Sequence, residues 1–208
     1  TPPDDHLCPK GECLDEAMLH GLDARLAALP VSQRAQGVVL VIHQMGSHGP
    51  AYSQRSPADR KRFTPECTST VLQQCDHQRL VNAYDNSIAY TDHVLAQSVR
   101  WLRQQTASYD PAMLYLSDHG ESLGENNLYL HGLPYAIAPR EQKHVPMIAW
   151  LPPQRLQADR LDLGCLRGRL DTALSHDNLF HTVLGLARVR AGEYQPALDA
   201  LAPCRAAS

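Results

Sequence analysis

Short apolar runs alternate with amphipathic stretches along the chain, and that alternation gives the first picture of its architecture. Gly37-Val-Val-Leu-Val-Ile42 is a continuous, β-branched run, which suits a strand buried on both faces. Ala112–Leu116 and Val145–Leu151 are two further short apolar runs. Strands are therefore expected near 37–42, 112–117 and 145–151. Leu14, Met18, Leu22, Leu26 and Leu29 have helical spacing, which Pro30 ends. From Leu80 to Leu102, apolar or small residues recur at Val81, Tyr84, Ile88, Thr91, Leu95, Ser98 and Leu102, the longest amphipathic helix in the pattern. Another helix is expected from about Asp177 to Ala187, with Leu179, Val183, Leu184 and Ala187 on one face. Strands alternating with helices predict the α/β class, here a three-layer α/β/α sandwich around a mainly parallel sheet. Residues 44–77 interrupt the alternation with a stretch rich in Gly, Pro, Ser and charge, and a loop that long inside a domain is usually functional.

Composition narrows the picture. The chain has 208 residues, 43% hydrophobic and 20% charged, with a net charge of -3. That is ordinary globular usage, and it argues against disorder. One domain spanning 1–208 is expected. No global basic field exists to collect nucleic acid, so no nucleic-acid partner is expected. The strongest apolar run, Val38–Ile42, is far short of the roughly 18 residues that span a bilayer. No signal peptide is visible, and the opening Thr1-Pro2-Pro3-Asp4-Asp5 reads as the interior of a longer protein.

Six cysteines add a compartment. Cys8 and Cys13 form one close pair and Cys67 and Cys75 another, without the Cys-x2-Cys doublets of a zinc site. Six cysteines allow 15 pairings in principle. Local closure favours Cys8–Cys13 and Cys67–Cys75, which leaves Cys165–Cys204. The competing reading is six free thiols in a reducing compartment. Disulfides, and hence an oxidising compartment, are the expectation.

Ligands in open parallel sheets bind beyond the carboxyl ends of strands, so the segments after each expected strand hold the candidate chemistry. His43-Gln-Met-Gly-Ser-His48-Gly-Pro50 follows the first, Ser117-Asp118-His119-Gly120-Glu121 follows the second, and His131-Gly132 comes soon after. A carboxylate and an imidazole suit zinc, so Asp118 and His119 are candidate metal ligands. The bland alternative makes Asp118 a helix cap and His119 an exposed loop residue. His48 and His131 can ligate metal when neutral or donate to a phosphate when protonated. Several imidazoles and carboxylates on one sheet edge suggest metal-assisted chemistry on an anion. Glu121 and Glu125, four apart, could simply begin a helical turn, and that reading is preferred for Glu125.

The motifs themselves have a likeness. Ser117-Asp-His-Gly-Glu-Ser-Leu-Gly-Glu-Asn126, then Tyr129-Leu-His-Gly-Leu-Pro-Tyr-Ala136, resembles the lipid A phosphoethanolamine transferases, which include the mobile colistin-resistance enzymes. The segments His43–Pro50, Phe63-Thr-Pro-Glu-Cys67, Asn82-Ala-Tyr-Asp-Asn86 and Gly11-Glu-Cys-Leu-Asp-Glu16 resemble further family blocks in the same order. The resemblance implies the C-terminal part of a periplasmic catalytic domain of the alkaline phosphatase and sulfatase type, incomplete in this chain. It implies an anchor of upstream transmembrane helices in the bacterial inner membrane. It implies transfer of phosphoethanolamine from phosphatidylethanolamine to a lipid A phosphate, with zinc as cofactor and a phosphothreonine intermediate, and with it polymyxin resistance. Residue by residue, Asp118 and His119 match zinc ligands, and His48 and His131 match histidines that hold the phosphoryl group or an additional zinc. All six cysteines match family disulfides.

The family's threonine nucleophile and glutamate ligand match nothing here and are expected upstream, so no catalytic nucleophile is assigned in these residues. The chain alone is expected to be inactive, to bind zinc weakly and to be a monomer. Two alternatives remain at this point. One is another superfamily enzyme: a sulfatase, a phosphodiesterase or a phosphoglycerol transferase. The other is a non-catalytic fragment.

Overall fold

Why the longest helix forms where it does is plain from the periodicity. A computed structural model describes residues 7–8 and 12–206, which divide into two units. One comprises the residues up to Arg100 together with His119–Pro146, and the other Trp101–Asp118 with the residues from Met147 onward.

In the first unit, helices α1 (Leu22–Ala28) and α2 (Val31–Arg34) precede α3 (His77–Gln104), most of which belongs here. Leu80, Ala83, Ser87, Tyr90, Thr91, Val94 and Ser98 are buried on α3, a stripe of steps of three, four and one that keeps one helix face inward. Leu80 and Ala83 pack with Tyr52, Leu72 and Leu123 in one apolar cluster, and Tyr90 and Val94 pack with Leu14 in another. Fully burying a side chain such as Leu80 stabilises by roughly 1.5–3 kcal/mol. Tyr52 and Tyr84 meet edge to face at 5.4 Å.

Residues 44–77 have little regular structure beyond 3-10 turns, and polar bonds hold them to α3. Asn86, fully buried on that helix, accepts from Arg62 N and Phe63 N and donates to Phe63 O and Glu66 Oε1. Lys61 Nζ donates to Glu66 and to Ser53 O. Cys67 is joined to Cys75. After the site loop come β2 (Ser122–Leu123) and β3 (Tyr129–Leu130), an antiparallel pair, and α4 (Arg140–Lys143).

The second unit is built on β1 (Met113–Leu116) and β4 (Met147–Trp150), with α5 (Pro153–Ala158), α6 (Leu163–Gly168) and α7 (Asp177–Ala187). Asp159 receives Arg155 Nε at 2.6 Å and Arg188 Nη2 at 2.7 Å, a buried carboxylate with two cations. Cys165 is joined to Cys204. His176, just before α7, lies 3.0 Å through Nε2 from the carbonyl of Ser117.

Three expectations change. Residues 37–42 form no strand. Val39 is 71% and Val41 83% exposed, and no described strand pairs with them. A β ladder needs a neighbour, whatever the propensity of its residues. The pairing of the two remaining expected strands is antiparallel, with Met113 opposite Trp150 and Leu116 opposite Met147. An apolar run reports burial and carries no strand direction. Both strands are only partly buried, so the doubly covered environment that implies parallel pairing is missing within these residues. The stretch 14–29 is a 3-10 turn, Asp15–Leu19, and then α1. Gly21 separates them at φ 72°, a left-handed conformation open to glycine. Among the described residues no helix is long and apolar enough to cross a membrane.

Candidate functional site

Three segments of the first unit bring three histidines together. His48 lies in the loop after 37–42, His119 after β1, and His131 directly after β3. The rings of His119 and His131 stack at 3.8 Å between centroids. His48 meets His131 at 4.9 Å and His119 at 5.8 Å, both edge to face. One ligand nitrogen from each lies within 4.8 Å of the others, a spacing that small side-chain shifts would close around one ion.

Each ring is held through Nδ1. His48 Nδ1 lies 2.7 Å from Gly49 O and His119 Nδ1 3.0 Å from Gly120 O. His131 Nδ1 lies 3.1 Å from Glu121 Oε1. A carbonyl or carboxylate only accepts, so the proton belongs on Nδ1 and the lone pair on Nε2. That is the arrangement metal-ligating histidines use, so the donor set fits a zinc ion.

The sequence places the loops as tightly as the bonds do. A Cβ on Gly49 would come within 2.5 Å of Leu130 Cδ2 and 2.7 Å of the Tyr52 hydroxyl. On Gly120 it would sit 2.0 Å from Glu141 O, and the Gly120 amide donates to Gln142 O at 3.0 Å. Gly120 therefore serves close backbone approach. Both oxygens of Asp15 accept from the loop, from Met45 N at 2.9 Å and Gly46 N at 2.7 Å. Arg55 Nε donates to His48 O at 2.9 Å. Burial, and secondarily the Glu121 charge and hydrogen bond, push the Tyr52 hydroxyl well above its ordinary range, which keeps it a proton donor.

Of the expected site residues, the structure brings His48, His119 and His131 together. Asp118 is exposed, belongs to the other unit, and immediately precedes His119 in the chain. His43 is exposed and outside the cluster. Glu125 Oε2 accepts from Leu123 N, a local turn role. Sequence reasoning left Glu121 unassigned and missed Asp15. Glu121 could have been suspected from its place two residues after His119, next to a glycine. Asp15 carried no such signal. All three expected disulfides form, Cys8–Cys13 among them, and no described cysteine is free.

Comparison with known proteins supplies context for this geometry. The family model described as Sulfatase matches residues 1–189. Phosphoethanolamine transferase EptA of Salmonella typhimurium is 46% identical over 95% of this chain and 36% of its own length. Phosphatidylethanolamine transferase Mcr-1 of Escherichia coli is 45% identical over 88% of the chain and 32% of its own length. The chain thus spans about a third of the curated relatives it matches. The crystal structure of the C-terminal periplasmic domain of phosphoethanolamine transferase EptC from Campylobacter jejuni superposes with a TM-score of 0.81 at 42% identity. That superposition covers 94% of this chain and 60% of the other. The zinc complex of the Escherichia coli EptC periplasmic domain, at 20% identity and a TM-score of 0.72 over 94% of this chain and 52% of its own, shares the fold.

Proposed function

The chain belongs to the sulfatase family, and from that premise we propose that it forms the distal part of a periplasmic phosphoethanolamine transferase catalytic domain. The reaction is transfer of phosphoethanolamine from phosphatidylethanolamine to a lipid A phosphate, with polymyxin resistance as its consequence. The parent enzyme is held at the periplasmic face of the inner membrane by segments outside these residues and works as a monomer. The observation that carries this reading is the convergence of His48, His119 and His131, one ligand nitrogen of each within 4.8 Å of the others, in a family whose named relatives transfer phosphoethanolamine.

Each residue has a definite task in this reading. Asp118 and His119 are zinc ligands. His48 and His131 hold the phosphoryl group, or an additional zinc. Bound there, zinc acts as a Lewis acid that stabilises charge on the phosphoryl oxygens. Protonated on both nitrogens, His48 and His131 donate from fixed positions to those oxygens, which is useful where charge develops at phosphorus. The bonds from Asp15, Arg55 and Glu121 hold the loops in place, so little reorganisation is needed as the substrate binds. The nucleophilic threonine and a further carboxylate ligand come from the part of the domain outside this chain.

The test uses a fluorescent phosphatidylethanolamine and zinc calorimetry. The complete enzyme should transfer phosphoethanolamine, and Asp118→Ala, His119→Ala and His131→Ala should each lower turnover by at least about 100-fold, the scale of losing a metal-site or electrostatic contact. This chain alone should show no transfer and only weak zinc binding. Nanomolar affinity in the isolated chain, or turnover in it that Asp118→Ala abolishes, would place the missing groups here and overturn the assignment.

A further inference from the structure

We propose that Glu121 is a positioning residue for the histidine cluster. Its carboxylate dictates which nitrogen His131 presents to the bound group, and it ties the loop carrying His48 to the segment carrying His131. The inference rests on the reading of the cluster as the metal and phosphate site.

The Glu121 side chain is only 3% exposed. A carboxylate is costly to bury unless hydrogen bonds satisfy it, and here three donors converge on it. Oε1 accepts from Gly49 N at 3.1 Å and from His131 Nδ1 at 3.1 Å. Oε2 accepts from the Tyr52 hydroxyl at 3.2 Å. Gly49 directly follows His48 in the chain, so one carboxyl group grips the backbone beside one histidine and the ring of another.

The three histidines differ in what orients them. His48 and His119 each bond the carbonyl of the next residue, a contact their own loops supply. His131 depends on a carboxylate ten positions away in sequence. Removing the Glu121 acceptor should therefore release the His131 tautomer selectively, because His48 and His119 keep the carbonyls that set theirs. A carboxylate that merely stabilised the loops would give no such selectivity.

Long-range proton–nitrogen correlation spectra of the metal-free chain read the tautomer of each ring directly. In the unaltered protein His131 should show a protonated Nδ1 and an unprotonated Nε2. Glu121→Leu removes the acceptor, and the two His131 nitrogens should move toward averaged shifts while His48 and His119 hold theirs. Glu121→Gln keeps an acceptor oxygen and should restore the Nδ1-protonated pattern. Tyr52→Phe removes one bond to Glu121 without touching His131 and should leave the tautomer unchanged. Zinc affinity should fall by about 10–100-fold in Glu121→Leu, the usual scale for losing such an outer partner, and less than about threefold in Tyr52→Phe.

A His131 with its Nδ1 unprotonated and the proton on Nε2 in the unaltered chain overturns the proposal with no variant needed, so it remains testable if Glu121→Leu does not fold. An unchanged His131 tautomer in a folded Glu121→Leu overturns it too, as does an equal change in all three rings. If the tautomers behave as expected but His131→Ala leaves both zinc binding and turnover of the complete enzyme intact, the functional reading fails while the positioning role stands.

Discussion

Residues 37–42 and 43–50 are consecutive in the chain and opposite in condition. The first is the most apolar run in the sequence, yet Val39 and Val41 stand largely in solvent. The second is polar and glycine-rich, yet bonds from Asp15, Arg55 and Glu121 fix it. An apolar strand is stabilised by neighbours on both edges and both faces, and the described residues supply none. A polar loop is stabilised by a few well-placed donors and acceptors, and this chain supplies them from three separate segments. Local order here follows the availability of partners more closely than it follows hydropathy.

The comparison can be broken from its polar side first. Asn86→Ala should give the largest loss, about 3 kcal/mol by urea denaturation, because it removes the four bonds that a fully buried side chain makes to Arg62, Phe63 and Glu66. A loss below about 1 kcal/mol would mean that the loop over α3 is held by something else.

Alkaline pH tests the same dependence on fixed donors. Burial first, and then the neighbouring carboxylates Glu121 and Glu16, raise the Tyr52 and Tyr90 hydroxyls above the ordinary tyrosine value of about 10. In that range the folded state binds more protons than the unfolded one, so stability is full below pH ~10 and falls as pH rises further. Thermal melts from pH 8 to 11 should show a decline that begins near 10. It should be shallower in Tyr52→Phe and Tyr90→Phe, and equal slopes in all three proteins would contradict the assignment.

The smallest effect is expected on the apolar side. Val39→Ser with Val41→Ser should change the stability of this chain by less than about 0.5 kcal/mol, as for exposed positions generally. The same pair should reduce self-association seen by light scattering, because an exposed apolar segment with unpaired backbone invites pairing with another chain. A loss above 2 kcal/mol would show that the run is packed after all.

Helical periodicity was the most readable signal in the sequence. The bounds expected for α7 and the core of α3 agree with the structure, but the expected inward faces do not: α3 buries Leu80, Ala83, Ser87, Tyr90 and Val94 with Ile88 exposed, and α7 buries His181 and Thr182 with Val183 exposed, because the path of the packed segments selects which face turns inward. The positions of β1 and β4 were readable from their apolar runs. Their antiparallel pairing was not, since it depends on the path of the intervening segment 117–146. Gly21 broke an otherwise convincing helical pattern through its backbone angle alone. In the site, His48, His119 and His131 were legible as strand-end and turn residues beside glycines. Glu121 was ambiguous because a glutamate four before another is equally at home on a solvated helix, and only the fold shows it buried. Asp15 was invisible because its partners are backbone amides 30 residues away.

The central claim is that these histidines line one site that holds zinc through His119 and, through His48 and His131, the phosphoryl group or an additional zinc, and zinc K-edge X-ray absorption of the zinc-loaded chain tests it most directly. The expected first shell contains imidazole nitrogens at roughly 2.0–2.1 Å, with fewer imidazoles in His119→Ala and the fewest in His119→Ala with His131→Ala. A shell of oxygens alone, or an imidazole count that neither variant changes, would contradict it.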